Sequence, residues 1–203
     1  HYKVYGKAHV STESLNNGDE SDIFMSSNSS RIGIKGKYAT DVEWLSVVFQ
    51  YESFADFNGE KGNTLSSRNS FAGVKGNWGR VIWGRHDTPM KTLGRKVDFF
   101  GDRIGDSRNA IAYIGSGWDW RVANMVMYNS PTIAEALTFA LQYVPTEGVD
   151  DSAVFSGNAI WKAEKFMVGV AYETHGKALE AAYGDDPETA EASGAFRVAA
   201  SWM

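Results

Sequence analysis

The chain has 203 residues, a formal net charge of −5 and a pI near 5.4. That length suits one domain, or one large all-β unit, and the acidic balance gives no reason to expect a nucleic-acid partner. With no cysteine in the sequence there is neither a disulfide framework nor a thiolate metal site, and no run of about 18 apolar residues exists to make a transmembrane helix. A membrane is not excluded by this. A transmembrane β-strand needs only about 9–11 residues with apolar side chains on alternate positions, which is compatible with the polar mean hydropathy of −0.34. The chain starts at His1 rather than at a Met with a charged n-region, so no signal peptide is expected, and the sequence reads as mature or as a fragment.

Hydrophobic periodicity is two almost throughout, the signature of half-buried strands. In the first segment Tyr2, Val4, Gly6, Ala8 and Val10 alternate with Lys3, Tyr5, Lys7, His9 and Ser11. Further strands are expected near Ser30–Tyr38, Val42–Phe54, Ser67–Gly76 and Gly79–Arg85. After a long interruption come Val122–Tyr128, Leu137–Tyr143, Asn158–Glu164, Phe166–Glu173 and Ala195–Met203. In the last of these Phe196, Val198, Ala200 and Trp202 oppose Arg197 and Ser201. About ten strands are thus readable.

The connections alternate in length. Short ones fall around Ala39-Thr40-Asp41, Asn77-Trp78, Asn129 to Ala134 and Lys165. Long polar ones run from Thr12 to Ser29, Ala55 to Ser66, His86 to Arg121, Val144 to Gly157 and Thr174 to Gly194. Antiparallel strands with short turns at one end and long loops at the other describe an up-and-down barrel. The competing architecture is a soluble β-sandwich or meander. Aromatic residues such as Tyr2, Tyr51, Tyr143 and Trp202 lie near strand ends, as in the girdles of a membrane barrel. Alternation alone does not decide whether the apolar face points out to lipid or in to a core.

The interval from His86 to Arg121 is the longest without a strand pattern among these segments. It carries Asp98, Asp102 and Asp106 at four-residue spacing, interleaved with Arg95, Lys96, Arg103 and Arg108 around Phe99 and Phe100. A loop this long in a compact chain is functional or disordered, and its aromatic and aliphatic content argues against disorder. It is expected to fold back and narrow something. The KALEAAYGDDPETAEA stretch of the last long loop has local helical propensity and is expected to be an exposed, solvated loop.

Several short pieces then carry a resemblance. They are Tyr5-Gly6-Lys7-Ala8, Ser30-Arg31-Ile32-Gly33-Ile34-Lys35-Gly36, Phe49-Gln50-Tyr51-Glu52, Arg68-Asn69-Ser70-Phe71-Ala72-Gly73-Val74-Lys75-Gly76 and Gly84-Arg85, with later echoes at Tyr128-Asn129-Ser130-Pro131 and Ala140-Leu141-Gln142-Tyr143. In their order and spacing the chain resembles the Gram-negative general porin family. The resemblance implies an all-β, antiparallel transmembrane barrel of the bacterial outer membrane, assembled as a homotrimer and passing small hydrophilic solutes and ions. It implies one porin-like domain over 1–203 and an inward-folded constriction loop over 86–121. The family barrel has about sixteen strands, so this chain is expected to be an N-terminal portion of a longer one. The pore constriction is expected to set the wall bases Lys7, Arg31, Arg68 and Arg85 against the loop acids Asp98, Asp102 and Asp106. From Arg31 to Gly33 is two residues but from Arg68 to Gly73 is five, so the two arginines share a face only if a bulge intervenes.

Other functions fare worse against the residues. A soluble β-rich carbohydrate-binding module would use the aromatics as a sugar surface, but their place on apolar strand faces favours lipid contact. His86-Asp87 invites comparison with barrel hydrolases, yet adjacent pairs are frequent coincidences, and His1, His9 and His175 show no ligand spacing. No enzyme, cofactor or metal site is expected. The loop holds about as many bases as acids, so cation preference does not follow.

Overall fold

The structure, a computed structural model, describes residues 1–16, 18, 20–59, 65–111, 118–145, 151–178 and 191–202. The alternating segments become β1 (Tyr2–Lys7), β4 (Arg31–Ala39), β5 (Ser46–Ala55), β7 (Ser70–Gly76), β8 (Gly79–Asp87), β9 (Arg121–Asn129), β10 (Leu137–Val144), β11 (Val154–Lys162), β12 (Phe166–His175) and β13 (Ser193–Trp202). Each pairs antiparallel with its neighbour in that order, with a short β6 (Leu65–Ser67) beside β5, in one eleven-stranded sheet. β1 and β13 end this order, so the sheet is open among the described residues. Among the described residues no helix is long and apolar enough to cross a membrane, which says nothing of a crossing by strands.

The structure departs from the sequence expectations at several strand ends. The first strand stops at Lys7, and Val10–Asn16 (β2) and Ser21–Ser27 (β3) form a separate two-stranded hairpin in the first long loop. Their polar stretch Ser11-Thr12-Glu13-Ser14 carries little hydrophobic alternation to announce it. The third strand starts at Ser46 rather than Val42, the preceding residues being held in a turn by the Thr40 hydroxyl, which donates to the Leu45 carbonyl (2.9 Å). The eighth begins at Val154, so the loop before it is shorter than expected. Most of the KALEAAYGDDPETAEA stretch lies outside the described residues. The expected segregation of connections is present, since consecutive strands pair and the long links all leave the same end.

The question left open by alternation is settled by burial. Tyr38, Tyr51, Trp161, Tyr172, Phe196, Val198 and Trp202 are all exposed, whereas their alternates Lys35, Gln50, Glu52, Asn158, Arg197 and Ala199 share the face on which the long loop lies. The apolar face therefore points out and the polar face in. The outward rings form two belts. Tyr143, Phe155, Tyr172 and Phe196 lie toward the loop end, and Trp161, Phe166 and Trp202 cluster at the turn end with centroids 6.0 and 6.4 Å apart. Aromatic rings at both rims of an apolar band, the Tyr and Trp among them with a polar edge, are what a bilayer interface selects.

The long third loop is not featureless. Thr88 caps a short helix, α1 (Pro89–Gly94): its hydroxyl accepts from the Lys91 backbone N–H, and Pro89 supplies a preset φ in the first turn. A second short helix, α2 (Arg108–Ile111), follows. α1 packs on the inner face of β11, β12 and β13, where Met90 and Leu93 are buried against Ile160, Met167, Ala171 and Ala199. Burying a side chain such as Leu93 stabilises by about 1.5–3 kcal/mol. Gly169 permits the approach, because any Cβ there would collide with Leu93. Gly169→Ala is accordingly expected to cost about 1–3 kcal/mol through overpacking, read as a lower denaturation midpoint in detergent.

Candidate functional site

Four inward carboxylates organise the site, and each is matched by cations. Glu52, on the inner face of β5, accepts from Arg68 Nε at 2.7 Å and from the Tyr5 hydroxyl at 2.9 Å, with Arg31 Nε 3.7 Å away. Arg68 reaches that face through a bulge. Ser53 pairs with Ser67, but Gln50 pairs with Phe71, so the register slips by one residue at Arg68 and Asn69. This is the irregularity that the two arginine spacings required. Asp87, at the end of β8, lies 3.1 Å from Lys91 Nζ and 3.0 Å from Arg121 Nη2, and accepts from the Asn69 amide at 3.1 Å.

The other two carboxylates belong to the loop. Asp102 receives both Arg95 Nη2 contacts, at 2.9 and 3.0 Å, and Arg108 Nη2 at 3.5 Å. It also accepts from the Ser29 hydroxyl and feels the charge of Lys7, so the loop tip reaches the wall at the start of β4. Burial pushes the Asp102 carboxyl up, but Arg95, Ser29, Arg108 and Lys7 together hold it below the usual range. Asp106 is likewise pushed up by burial. That is outweighed by the Arg108 guanidinium and by backbone N–H groups of Asp102 and Arg108, and its carboxyl is held far below the usual range. Its ion pair with Arg108 measures 2.8 Å.

The return of the loop is anchored too. Asp119, almost wholly buried, sits 2.6 Å from Arg197 Nη1 of β13, and the same nitrogen donates to the Met90 carbonyl at 2.9 Å. One arginine thus ties α1 and the end of the loop to the far wall. Trp118 stacks on His175 with centroids 4.3 Å apart.

The sequence-derived residues separate into three groups. Lys7, Arg31, Arg68 and Asp102 come together with Glu52 at the β1–β4–β5 wall. Asp98 instead accepts from the Phe100 backbone N–H at 3.1 Å and shapes its own turn, and Asp106 pairs within the loop. Arg85 lies opposite Ser70, at the bulge between Gly84 and His86, within electrostatic reach of Arg121. Glu52, Asp87, Lys91, Asp119, Arg121 and Arg197 are functional candidates that sequence reasoning did not assign. Glu52 stood in a quoted motif and could have been found there, as an acid on a face otherwise basic. The 78 residues between Asp119 and Arg197 leave no local signal. His86 does not engage the Asp87 carboxylate, its ring meeting the Asp87 backbone carbonyl at 2.9 Å. That is not a nucleophile-activating arrangement.

Lys91 gives the site a pH dependence. Burial lowers its ammonium to about 8, with Asp87 only partly offsetting this. Between pH 8 and the ordinary lysine value of 10.5 the unfolded chain holds this proton and the folded chain does not. Stability at this position is therefore lowest below pH 8 and rises with pH through that window. Above pH 8 the site also loses one positive charge. A lower denaturation midpoint at pH 7 than at pH 10 is expected, with the Lys91 contribution abolished in Lys91→Met.

The profile of the Gram-negative porin family matches residues 2–203. The chain belongs to the Gram-negative porins. As such it is a protein of the bacterial outer membrane, in a family of channels rather than enzymes. It is similar to the chitoporin of Vibrio furnissii, at 28% identity over 186 residues, covering 83% of this chain and 46% of that one. In fold it is similar to the anion-selective porin from Comamonas acidovorans, with a TM-score of 0.73 at 16% identity over 86% of this chain and 57% of that one. The Salmonella typhi OmpF solved with daunomycin gives a TM-score of 0.70 at 18% identity, covering 98% of this chain and 61% of that one. The chain therefore spans about half the length of the curated relative it matches and less than two thirds of these solved porins.

Proposed function

We propose that the barrel to which this porin chain belongs is a water-filled channel for passive diffusion of small hydrophilic solutes and ions, narrowed by the loop over 86–121. The observation that carries this is the inward placement of α1 and of Asp102. The loop leaves β8, packs on β11–β13 and brings Asp102 within reach of Ser29 and Lys7 across the inner face. The constriction consists of Lys7, Arg31, Arg68 and Arg85 on the wall, with Glu52 among them, facing the loop's Asp102, while Asp106, paired with Arg108, and Asp98, bonded to the Phe100 backbone, shape the loop that presents it. Opposed charges across a narrow aqueous gap orient polar solutes and bias ion passage. They interact more strongly there than in bulk water. The two aromatic belts support lipid contact on the outer face and disfavour a soluble sugar-binding module. A homotrimer is the assembly this reading includes, in keeping with a Vibrio cholerae outer-membrane protein of the same fold described in a trimer form.

Liposomes loaded with an impermeant dextran test the proposal. Vesicles carrying the full barrel should swell in isosmotic solutions of small sugars, at rates that fall as solute size rises. Folded, inserted barrel that produces no swelling contradicts a diffusion channel.

A further inference from the structure

The inner face changes character toward the short-turn end. A recess of about 650 Å³ opens there between β4, β5, β7 and β8 and the turn after β9. Lys35, Lys37, Lys75 and Arg80 line it, together with Gln50 and Asn129, and among the described residues no carboxylate does. None of the four cations forms an ion pair among the described residues. Lys35 instead lies over the Tyr5 ring at 5.2 Å and Arg80 over the Phe71 ring at 5.4 Å. Lys75 and Arg80 stand directly opposite one another in the ladder, and like charges in that position destabilise a sheet. Lys35 and Lys37 lie on the same face of β4, with side chains exposed to the recess. The contrast with the loop end is complete in kind. There Glu52, Asp87, Asp102, Asp106 and Asp119 each have a cation within 3.1 Å.

We propose that this recess is a binding site for small solutes carrying two or more closely spaced negative charges, of which inorganic pyrophosphate is the simplest probe. The chemistry is that of an electrostatic trap. A polyanion takes the place of the missing counter-charge between Lys75 and Arg80 while Lys35 and Lys37 close on its other side, and the Gln50 and Asn129 amides add donors. Walls of one sign raise the local concentration of counter-ions by about 10–10³, so a site beyond a charge-balanced constriction enriches anions without sealing the channel. The proposal rests on the channel reading for its consequence but not for its chemistry, and the two fail separately.

The test uses the full barrel, wild type and Lys35→Gln/Lys37→Gln/Lys75→Gln, reconstituted in planar bilayers in about 0.1 M KCl, where the screening length is about 10 Å. Pyrophosphate added on the short-turn side should reduce KCl conductance of the wild type. The triple variant should need at least about tenfold more for the same block, with its unblocked conductance retained. Equal block of both proteins, or none in either, overturns the site. Should the native barrel insert without conducting, the channel reading is what fails. Calorimetric titration of pyrophosphate into the detergent-solubilised proteins then decides the site, with weaker binding to the variant expected and equal or absent binding overturning it. The exposed lysines are chosen over the half-buried Arg80 so that the variant folds; parallel phosphate and chloride titrations separate a polyanion site from a general anion preference.

Discussion

Replacing Arg31 and Arg68 together by glutamine is expected to lower stability by about 3–5 kcal/mol, because it strands a buried carboxylate. Glu52 is 7% exposed, and its remaining partner would be the Tyr5 hydroxyl. Removing one side of a buried pair costs more than the pair contributes, since the other charge keeps its desolvation penalty. The same reasoning predicts rescue: adding Glu52→Gln should restore most of the loss. Denaturant midpoints of the three proteins in detergent check this. The double variant should also move the reversal potential in a salt gradient toward that of a cation-preferring channel, because two wall cations are gone and an acid is unmasked. An unchanged midpoint together with an unchanged reversal potential would show that neither arginine serves the wall in the way described.

Arg197→Met is expected to release the loop rather than the barrel. The Arg197 guanidinium donates to Asp119 and to the Met90 carbonyl, and no other side chain among the described contacts joins both ends of the loop to β13. Its loss leaves Asp119 buried without its cation, at a cost of about 3–5 kcal/mol for a fully buried partner. The cost falls first on the element with the least independent burial. Leu93 and Met90 still hold α1 through apolar contact, so the barrel strands keep their pairing. The expected result is a larger, noisier single-channel current and faster protease cleavage between β8 and β9, with strand content unchanged. Arg197→Met/Asp119→Asn should recover part of the wild-type behaviour, since the unpaired charge is then absent. Wild-type current and protease resistance in Arg197→Met would mean that the apolar contacts of α1 suffice.

Strict alternation made the sheet legible, since period two with turn residues between segments has few other meanings. It could not say which face was wet, because a soluble barrel and a membrane barrel write the same alternation with opposite burial. The exposure of Phe196, Val198 and Trp202 beside the inward Arg197 decided it. The start of α1 has a local signal, since Thr88 followed by Pro89 is a capped helix start, but six residues of helix in a charge-rich loop leave no hydrophobic period to accompany it. The spacing of Asp98, Asp102 and Asp106 suggested three acids aimed at the wall. The structure instead gives Asp98 to its own turn and Asp106 to Arg108, because a backbone N–H or an arginine two residues away satisfies a carboxylate at less entropic cost than a distant wall. The Asp119–Arg197 contact was beyond sequence reasoning for a different reason. It depends on how far the loop crosses the inner face, and that is fixed by the packing of Leu93 over Gly169.

Single-channel recording of the full barrel in a planar bilayer tests the central claim most directly. Stepwise, ohmic current increments in KCl are predicted, larger and less steady in Arg197→Met than in the wild type. Folded barrel that inserts without conducting, or a conductance indifferent to every contact holding the loop inward, would contradict it.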